Sequence, residues 1–154
     1  MTILIDTREK IPFFFQTPSI VGTVPTGDYS LVGFEDRVAI ERKERNDLVA
    51  CLKNGKPGEP QNRDRFEREL ERSRALEYFA VVVEAPWKDI AAGRYTSRMH
   101  PNAVVQSLLT FSVRYRLPLF FADNRQHARM ITESLLLKFA REVETRPHAP
   151  ADAP

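Results

Sequence analysis

Residues 27–43 read GDYSLVGFEDRVAIERK and predict a β-hairpin. Gly27–Val32 and Arg37–Lys43 are rich in strand-forming residues, and the Gly33–Asp36 segment between them has the glycine and acidic residues typical of a turn. A short connection of this kind joins antiparallel neighbours. The two strands are therefore expected to lie side by side, with side chains pointing alternately to the two faces of a sheet.

The second strand of this hairpin separates charged from apolar side chains. Because alternate residues of a strand share a face, Ala39, Glu41 and Lys43 are expected on one side of the sheet. Val38 and Ile40 are expected on the other side, within a hydrophobic layer. The strand thus delivers a carboxylate and an ammonium group to the same place.

Asp28 lies on the partner strand, and with Glu41 and Lys43 it completes the D…E-x-K layout of restriction-like nucleases. Hydrolysis of a phosphodiester needs an activated water and stabilisation of the extra negative charge of the transition state. Hard oxygen ligands that hold Mg²⁺ or Mn²⁺ address both needs, and a lysine near the attacked phosphate helps with either. Asp28 and Glu41 would supply carboxylate oxygens, and the main-chain carbonyl of Arg42 another ligand.

The motif by itself leaves a second interpretation open. In a chain with 21 acidic and 23 basic residues, a glutamate and a lysine on the same face also suit an exposed strand end, where the two charges pair with each other. The surrounding sequence is therefore needed to decide between a catalytic centre and a surface ion pair.

The composition is that of one ordinary globular domain. The chain has 154 residues, of which 42% are hydrophobic and 29% charged. The single cysteine, Cys51, excludes an intramolecular disulfide and leaves too little sulfur for a zinc ribbon. No signal peptide and no stretch near the roughly 18 apolar residues of a membrane span are found, so a cytoplasmic location is expected. The net charge of +2 permits nucleic-acid binding without indicating it.

The rest of the chain predicts an α/β fold with a mixed central sheet. The element order is β-β-β-α-α-β-α-β-α, which gives a mixed sheet, antiparallel at its start, parallel later and flanked by helices. The D…E-x-K layout resembles that of restriction-like nucleases and implies a restriction-endonuclease-like form of this sheet. The further strands are expected at Ile3–Arg8, Phe79–Val83 and Leu117–Phe121, the last two of them buried. The helices are expected to begin at Asn46 or Asp47, at Arg63, after His100, and at Asp123 or Asn124.

The remaining segments are interpreted as loops. Pro12–Pro25 predicts a loop with a short element, in which the run Phe13-Phe14-Phe15 serves core or interface packing. Lys53–Asn62, with two glycines and two prolines, predicts a mobile loop. Residues 1–144 are expected to form the domain, and residues 145–154 a disordered tail rich in proline and alanine.

The order of several motifs resembles the XPF family of structure-specific nucleases. Gly27-Asp28-Tyr29, Glu41-Arg42-Lys43 and Asp47 are similar to its GD…ERK…D signature. The resemblance extends from Ile3 to Glu142, and Lys53–Asn62 departs from it by being longer than the usual turn. The further similar stretches, the last of them most like archaeal Hef-type members, are Ile5-Asp6-Thr7-Arg8-Glu9, Asn46-Asp47-Leu48 and His100-Pro101-Asn102-Ala103.

The resemblance implies a set of site residues. The catalytic members would be Asp6, Asp28, Glu41 and Lys43, and the three acidic ones would bind Mg²⁺ or Mn²⁺. Arg8, Glu9, Arg42 and Asp47 would support the centre or the scissile phosphate. Strand alternation turns the Arg42 side chain away from Glu41. Arg42 is therefore expected either to brace the site from behind through Asp47 or to form a purely structural ion pair.

Two arginines at the start of the charged helix are candidates for phosphate contacts, namely Arg63 and Arg65. The same helix can instead neutralise its own charges as a solvated face. The pairs that would do so are Arg63/Glu67, Arg65/Glu69 and Glu71/Arg74. His100 is expected to brace a loop or cap a helix rather than bind metal, and Cys51 to be buried rather than reactive.

The function implied by the resemblance is a metal-dependent DNA endonuclease that leaves 5′-phosphate and 3′-hydroxyl ends. Its substrates would be branched, flap or fork DNA in repair or recombination, and it would be a homodimer joined through the last two helices. A separate targeting subunit would add specificity, since the sequence contains no recognisable helix-hairpin-helix or helicase module. Two alternatives stay open: a non-catalytic DNA-binding or scaffold subunit, and a restriction-type or phage-encoded nuclease that cuts ordinary duplex.

Overall fold

In the computed structural model, which describes residues 1–147, six strands form one sheet in the order β2-β1-β3-β4-β5-β6. The strands are β1 (Ile3–Asp6), β2 (Ser19–Gly22), β3 (Tyr29–Leu31), β4 (Val38–Lys43), β5 (Tyr78–Val83) and β6 (Leu119–Phe121). The helices are α1 (Arg45–Ala50), α2 (Asn62–Ser73), α3 (Trp87–Ala91), α4 (Pro101–Tyr115) and α5 (Arg125–Thr145). None of the helices within residues 1–147 is long and apolar enough to cross a bilayer.

The strand directions confirm the predicted mixed α/β sheet. β3 is antiparallel to both β1 and β4, so the predicted hairpin is present. β5 is parallel to β4, and β6 is parallel to β5. Consequently β1, β4, β5 and β6 all point the same way, and their carboxyl ends meet at one edge of the sheet, beside the amino end of β3.

The structure adds two elements to the predicted order. β2 is the short element within Pro12–Pro25, and it pairs in parallel with β1 at the edge of the sheet. α3 was not predicted, because a helix of five residues carries too little periodicity to be recognised. β6 is also less buried than predicted: it forms the other edge, and all three of its residues are half-buried.

Three helix starts test the predicted caps. α1 is capped by Glu44, whose carboxylate accepts hydrogen bonds from the N–H groups of Asn46 and Asp47, so neither predicted residue is the cap. His100 caps α4 through its side chain, as predicted. Asn124 caps α5, the second of the two residues proposed for that position. The first helix ends at Ala50, although the Asn54-Gly55 pair predicts that it continues to that point.

Each face of the sheet has its own hydrophobic core. The first core lies under α1 to α4 and includes Ala39 and the buried Cys51, and the second lies under α5 and includes Val38 and Ile40. The predicted alternation along β4 is therefore confirmed. Phe13 is buried in the second core, whereas Phe14 is fully exposed.

The predicted domain boundary at residue 144 falls one residue before the end of α5. Residues 148–154, most of the predicted tail, lie outside the described residues.

Candidate active site

The predicted acidic residues meet at the edge where the strands end. Asp6 closes β1, Asp28 directly precedes β3, and Glu41 lies near the end of β4. The main-chain N–H of Asp6 donates to the carbonyl of Asp28, and the N–H of Asp28 donates to the carbonyl of Ile40, each at 2.9 Å. These hydrogen bonds hold the three acidic positions side by side on neighbouring strands.

Gly27 allows Asp28 to reach this position. Its φ is +92°, in the region that favours glycine. A Cβ on Gly27 would approach the Cβ of Ala39 to 3.1 Å and the carbonyl oxygen of Ile40 to 3.3 Å. The glycine of the GD motif is thus explained by a close approach of two strands.

Asp28 and Glu41 place two carboxyl groups next to each other. Asp28 is half-buried, Glu41 is only 7% exposed, and the charge of Asp28 acts directly on Glu41. Burial and the charge of Glu9 raise the pKa of Asp28 to about 6. Burial, followed by the charge of Asp28, raises the pKa of Glu41 well above its usual value. Two adjacent carboxyl groups, of which Glu41 is hindered in its ionisation by the charge of Asp28, are a suitable donor set for a hard divalent cation.

Lys43 lies against this pair. Its Nζ is 3.2 Å from Oε1 of Glu41 and 5.0 Å from the centre of the Phe66 ring. Burial acts to lower the pKa of Lys43, but the attraction of Glu41 together with that of Glu69 and Cys51 outweighs it, and the net shift is upward. Lys43 is therefore a charged ammonium at neutral pH, and the structure brings it together with Asp28 and Glu41 as the sequence predicted.

Asp6 is directed elsewhere. Its carboxylate is 1% exposed and accepts hydrogen bonds from Nε of Arg8 at 2.5 Å and from the N–H of Val24 at 2.9 Å. Burial acts to raise the pKa of Asp6, but the bonds from Arg8 and Val24 together lower it. Within residues 1–147, no group of three or more histidine, cysteine or acidic side chains could hold a metal ion. The structure therefore groups Asp28 with Glu41 but does not add Asp6 as a third ligand.

The Arg42 side chain lies on the opposite face of the sheet, as the alternation predicted. Its partners are Glu9, at 2.9 Å from Nε, and Glu84, at 3.1 Å from Nη1. The hydroxyl of Tyr29 also donates to Glu9, and Arg125 contacts Glu84 at 2.9 Å. Asp47 takes no part in this network, so the predicted bracing through Asp47 is wrong: that side chain is exposed beside Lys43 instead.

The two arginines of α2 have different surroundings. Arg63 donates to the carbonyl of Leu52 at 2.9 Å and lies 3.4 Å from Glu67, so it is engaged by the protein itself. Arg65 is exposed and lines a cavity of about 230 Å³ next to Lys43. The predicted Arg65/Glu69 ion pair is not formed within the described part of the chain, whereas Arg74 lies 3.6 Å from Glu71 as predicted.

Glu69 is a residue of this site that the sequence analysis missed. Its side chain lines the same cavity, and its charge acts to raise the pKa of Glu41. The signal was present, because Glu69 lies one turn from each of Phe66 and Ser73, on the buried stripe of α2. An acidic residue in an apolar stripe needs a polar partner, which is here the end of β4.

Cys51 also lines this cavity but is chemically inert. Burial raises the pKa of its thiol to about 12, which leaves almost no thiolate at neutral pH. Its prediction as a buried small residue is confirmed.

Comparison with known proteins gives three kinds of match. The sequence model of the ERCC4 domain family matches residues 5–135. A Methanocaldococcus jannaschii protein named as a putative ATP-dependent RNA helicase is 26% identical over 147 residues, which is 94% of this chain but only 16% of the relative.

Two solved structures share the fold. XPF from Aeropyrum pernix matches with a TM-score of 0.72 and 19% identity over all of this chain and 69% of the other. XPF from Aeropyrum pernix in complex with DNA matches with a TM-score of 0.68 and 20% identity over 92% of this chain and 66% of the other. The architecture described above is thus that of an XPF nuclease domain.

Proposed function

The chain belongs to the ERCC4 domain family, and on that premise we propose that it is a divalent-metal-dependent DNA endonuclease. The observation that carries the proposal is the placement of the half-buried Asp28 beside the buried Glu41, with Lys43 only 3.2 Å from Glu41. Burying two acidic groups together opposes folding unless a cation or a proton relieves them. A surface ion pair, the other interpretation of the motif, would not require this burial.

Asp28 and Glu41 are the residues that would hold Mg²⁺ or Mn²⁺. Their oxygens fit the preference of these ions for hard ligands, and two carboxylates suffice for Mg²⁺, which keeps several waters. Asp6 was predicted as a third ligand, but its contacts suit another role: it holds Arg8, whose side chain is 71% exposed. When bound, the ion would supply Lewis acidity and a more acidic water.

The chain's own cations would act on the phosphate. Lys43 would orient the attacking water or offset charge on the scissile phosphate, and Arg8 and the exposed Arg65 would contact phosphates of the backbone. Water would attack the phosphorus and the bond to the 3′ oxygen would break, leaving a 3′-hydroxyl and a 5′-phosphate. Behind the sheet, Arg42 and Glu9 would keep β4 and Asp28 in place.

The substrate and setting extend this proposal. Branched, flap or fork DNA in repair or recombination is favoured by the family, and we propose activity in the cytoplasm near the chromosome, as the single cysteine suggests. The fold match to XPF in complex with DNA supports a DNA partner. Because this chain spans only 16% of its Methanocaldococcus relative, we propose that a further module or a separate subunit selects the DNA structure.

A homodimer through the last two helices is also proposed. α4 exposes Leu109 and Val113 one turn apart, the latter 81% accessible, and α5 exposes Met130. These helices flank β6, an edge strand with half-buried apolar residues. Apolar side chains around an open strand edge suit contact with a second copy of the chain.

A non-catalytic DNA-binding subunit is the alternative. It is favoured by one observation, the lack of a three-ligand metal group within residues 1–147. Such a subunit would bind DNA with strong salt dependence and would not cut it with any added metal ion. It gives no physical reason for the buried Asp28–Glu41 pair.

A cleavage assay distinguishes these functions. Labelled single-stranded, duplex, flap and fork DNA would be incubated with the protein in Mg²⁺, Mn²⁺ or EDTA. We expect metal-dependent cutting that is lost in Asp28→Ala and Lys43→Ala but kept in the surface controls Asp123→Ala and Lys88→Ala. Undiminished cutting by both site variants would remove the proposed centre, and binding without cutting by the unaltered protein would favour the alternative.

A further inference from the structure

Two residues of α2 lie next to Lys43. Phe66 is buried, and the Lys43 ammonium lies 5.0 Å from its ring centre. Glu69, one helical turn later, lines the same 230 Å³ cavity as Lys43 and Phe66. One helix therefore presents an aromatic ring and a carboxylate to the proposed catalytic lysine.

Glu69 differs from the other acidic residues of its helix. Glu67 is bound by Arg63 and by Arg114, and Glu71 lies beside Arg74. Within residues 1–147, Glu69 takes part in no ion pair shorter than 4 Å, although it attracts both Lys43 and Arg8. Glu69 also raises the pKa of Glu41, a group of the same charge. A half-buried carboxylate in this position does not serve the stability of α2.

The position of Glu69 has a use once a cation is bound. A metal ion on Asp28 and Glu41 would draw the oxygens of Glu41 toward itself, and Lys43 would then lose its closest negative partner. The lysine side chain is long and flexible, and Glu69 is a second carboxylate that lines the same cavity and attracts it. A partner that does not bind the metal would keep the ammonium in place while the phosphate is attacked.

We propose that Glu69 is a positioning residue, which replaces Glu41 as the counter-ion of Lys43 when the Asp28–Glu41 pair holds its cation. The proposal rests on the proposed nuclease function, since it assigns Lys43 a role in phosphodiester cleavage. Phe66 would keep the ammonium close to both carboxylates, because the face of its ring attracts the cation.

Glu69→Gln tests the proposal, with Glu71→Gln as a control on the exposed side of the same helix. Loss of a group that orients a catalytic residue typically reduces activity about 10- to 100-fold. We expect that reduction in kcat for Glu69→Gln, an unchanged KM, and partial recovery in Glu69→Asp. Wild-type kcat in Glu69→Gln would overturn the proposal.

A double-variant cycle tests whether Glu69 acts through Lys43. If it does, Glu69→Gln adds no further loss to Lys43→Met, because the residue it positions is already missing. A multiplicative loss would mean that the two residues act independently, and the proposal would fail.

Two measurements do not depend on cleavage. The rise in melting temperature on adding Mg²⁺ should be the same in Glu69→Gln and in the unaltered protein; its loss would make Glu69 a ligand and overturn the positioning role. In the Mg²⁺-loaded protein, the two ε-methylene protons of Lys43, assigned with Lys43→Met, should have distinct NMR shifts that merge in Glu69→Gln. If the unaltered protein cuts no DNA, the proposed function fails, whereas these shifts still report whether Glu69 fixes the lysine.

Discussion

The main-chain N–H of Arg42 donates a hydrogen bond of 2.8 Å to Oδ2 of Asp28, whereas the Arg42 side chain lies on the opposite face of the sheet. One residue therefore connects the carboxylate pair on the first face with the Glu9 and Glu84 network on the second. The middle position of the Glu41-Arg42-Lys43 run serves the site by holding β4 rather than by touching the substrate.

Replacing Arg42 is expected to weaken the fold more than a surface ion pair would. Arg42→Met leaves Glu9 and Glu84 without their shared cation, and both carboxylates are largely buried. Since the site is partly solvated, we expect a loss of about 2 kcal/mol in the free energy of unfolding, less than for a fully buried pair. Urea denaturation measures it. Arg37→Met, which breaks the exposed pair with Glu77, is the control and should change stability far less.

Asp28→Asn is expected to stabilise the metal-free protein. The pKa of Asp28 is raised from 3.8 to about 6, so the folded state binds the proton more tightly than the unfolded state. The folded protein therefore loses stability as the pH rises from about 4 through 6, and this loss is absent in the asparagine variant. At pH 7.5 in EDTA, we expect the free energy of unfolding of Asp28→Asn to exceed that of the unaltered protein by about 1 to 2 kcal/mol. This difference should disappear below about pH 4. Equal stability of both proteins at pH 7.5 would contradict the raised pKa of Asp28, which burial and the charge of Glu9 cause.

Magnesium should reverse the order of stability of Asp28→Asn and the unaltered protein. Because the ion would bind the folded state through Asp28 and Glu41, millimolar Mg²⁺ should raise the melting temperature of the unaltered protein but not of Asp28→Asn or Glu41→Gln. Asp6→Asn should keep the rise, since the Asp6 carboxylate is bound by Arg8 and Val24. A differential scanning experiment against EDTA measures this. Loss of the rise in Asp6→Asn would place Asp6 in the ligand set, as the family resemblance implied.

The parts of the site that follow from strand geometry could be predicted from the sequence. The alternation along β4 placed Glu41 and Lys43 on one face and turned Arg42 to the other, because these relations need only residues two apart. The hairpin then brought Asp28 to the same edge. The caps His100 and Asn124 were predictable for the same reason, since a cap contacts residues within its own first turn.

The parts that depend on packing between distant segments could not be predicted. Glu69 had a possible local partner in Arg65, and only the placement of α2 against β4 gives it Glu41 instead. Glu84 and Arg125 are 41 residues apart in sequence, and they meet because both follow strands that end at the same edge. Rules for pairing nearby residues do not predict such contacts. Asp47 was therefore predicted as the partner of Arg42 in place of Glu9 and Glu84.

Gly27 offers a test of how much the site depends on one close approach of strands. Gly27→Ala places a methyl group within 3.1 Å of Ala39 and 3.3 Å of the Ile40 carbonyl, at a φ of +92°. Gly33→Ala is the matched control, because Gly33 has a φ of +85° but a methyl group added there would meet nothing within 4 Å. Both variants should lose about 1 kcal/mol of stability from the left-handed backbone.

Only Gly27→Ala should also lose the magnesium-induced rise in melting temperature and at least about 10-fold in cleavage, since it moves Asp28 away from Glu41. Urea denaturation, melting curves with Mg²⁺ and cleavage rates compare the two variants directly. If Gly27→Ala matches Gly33→Ala in all three, the strand contact does not set the spacing of the carboxyl pair. If it is less stable yet retains the magnesium response, Asp28 reaches Glu41 by a route that does not require the glycine.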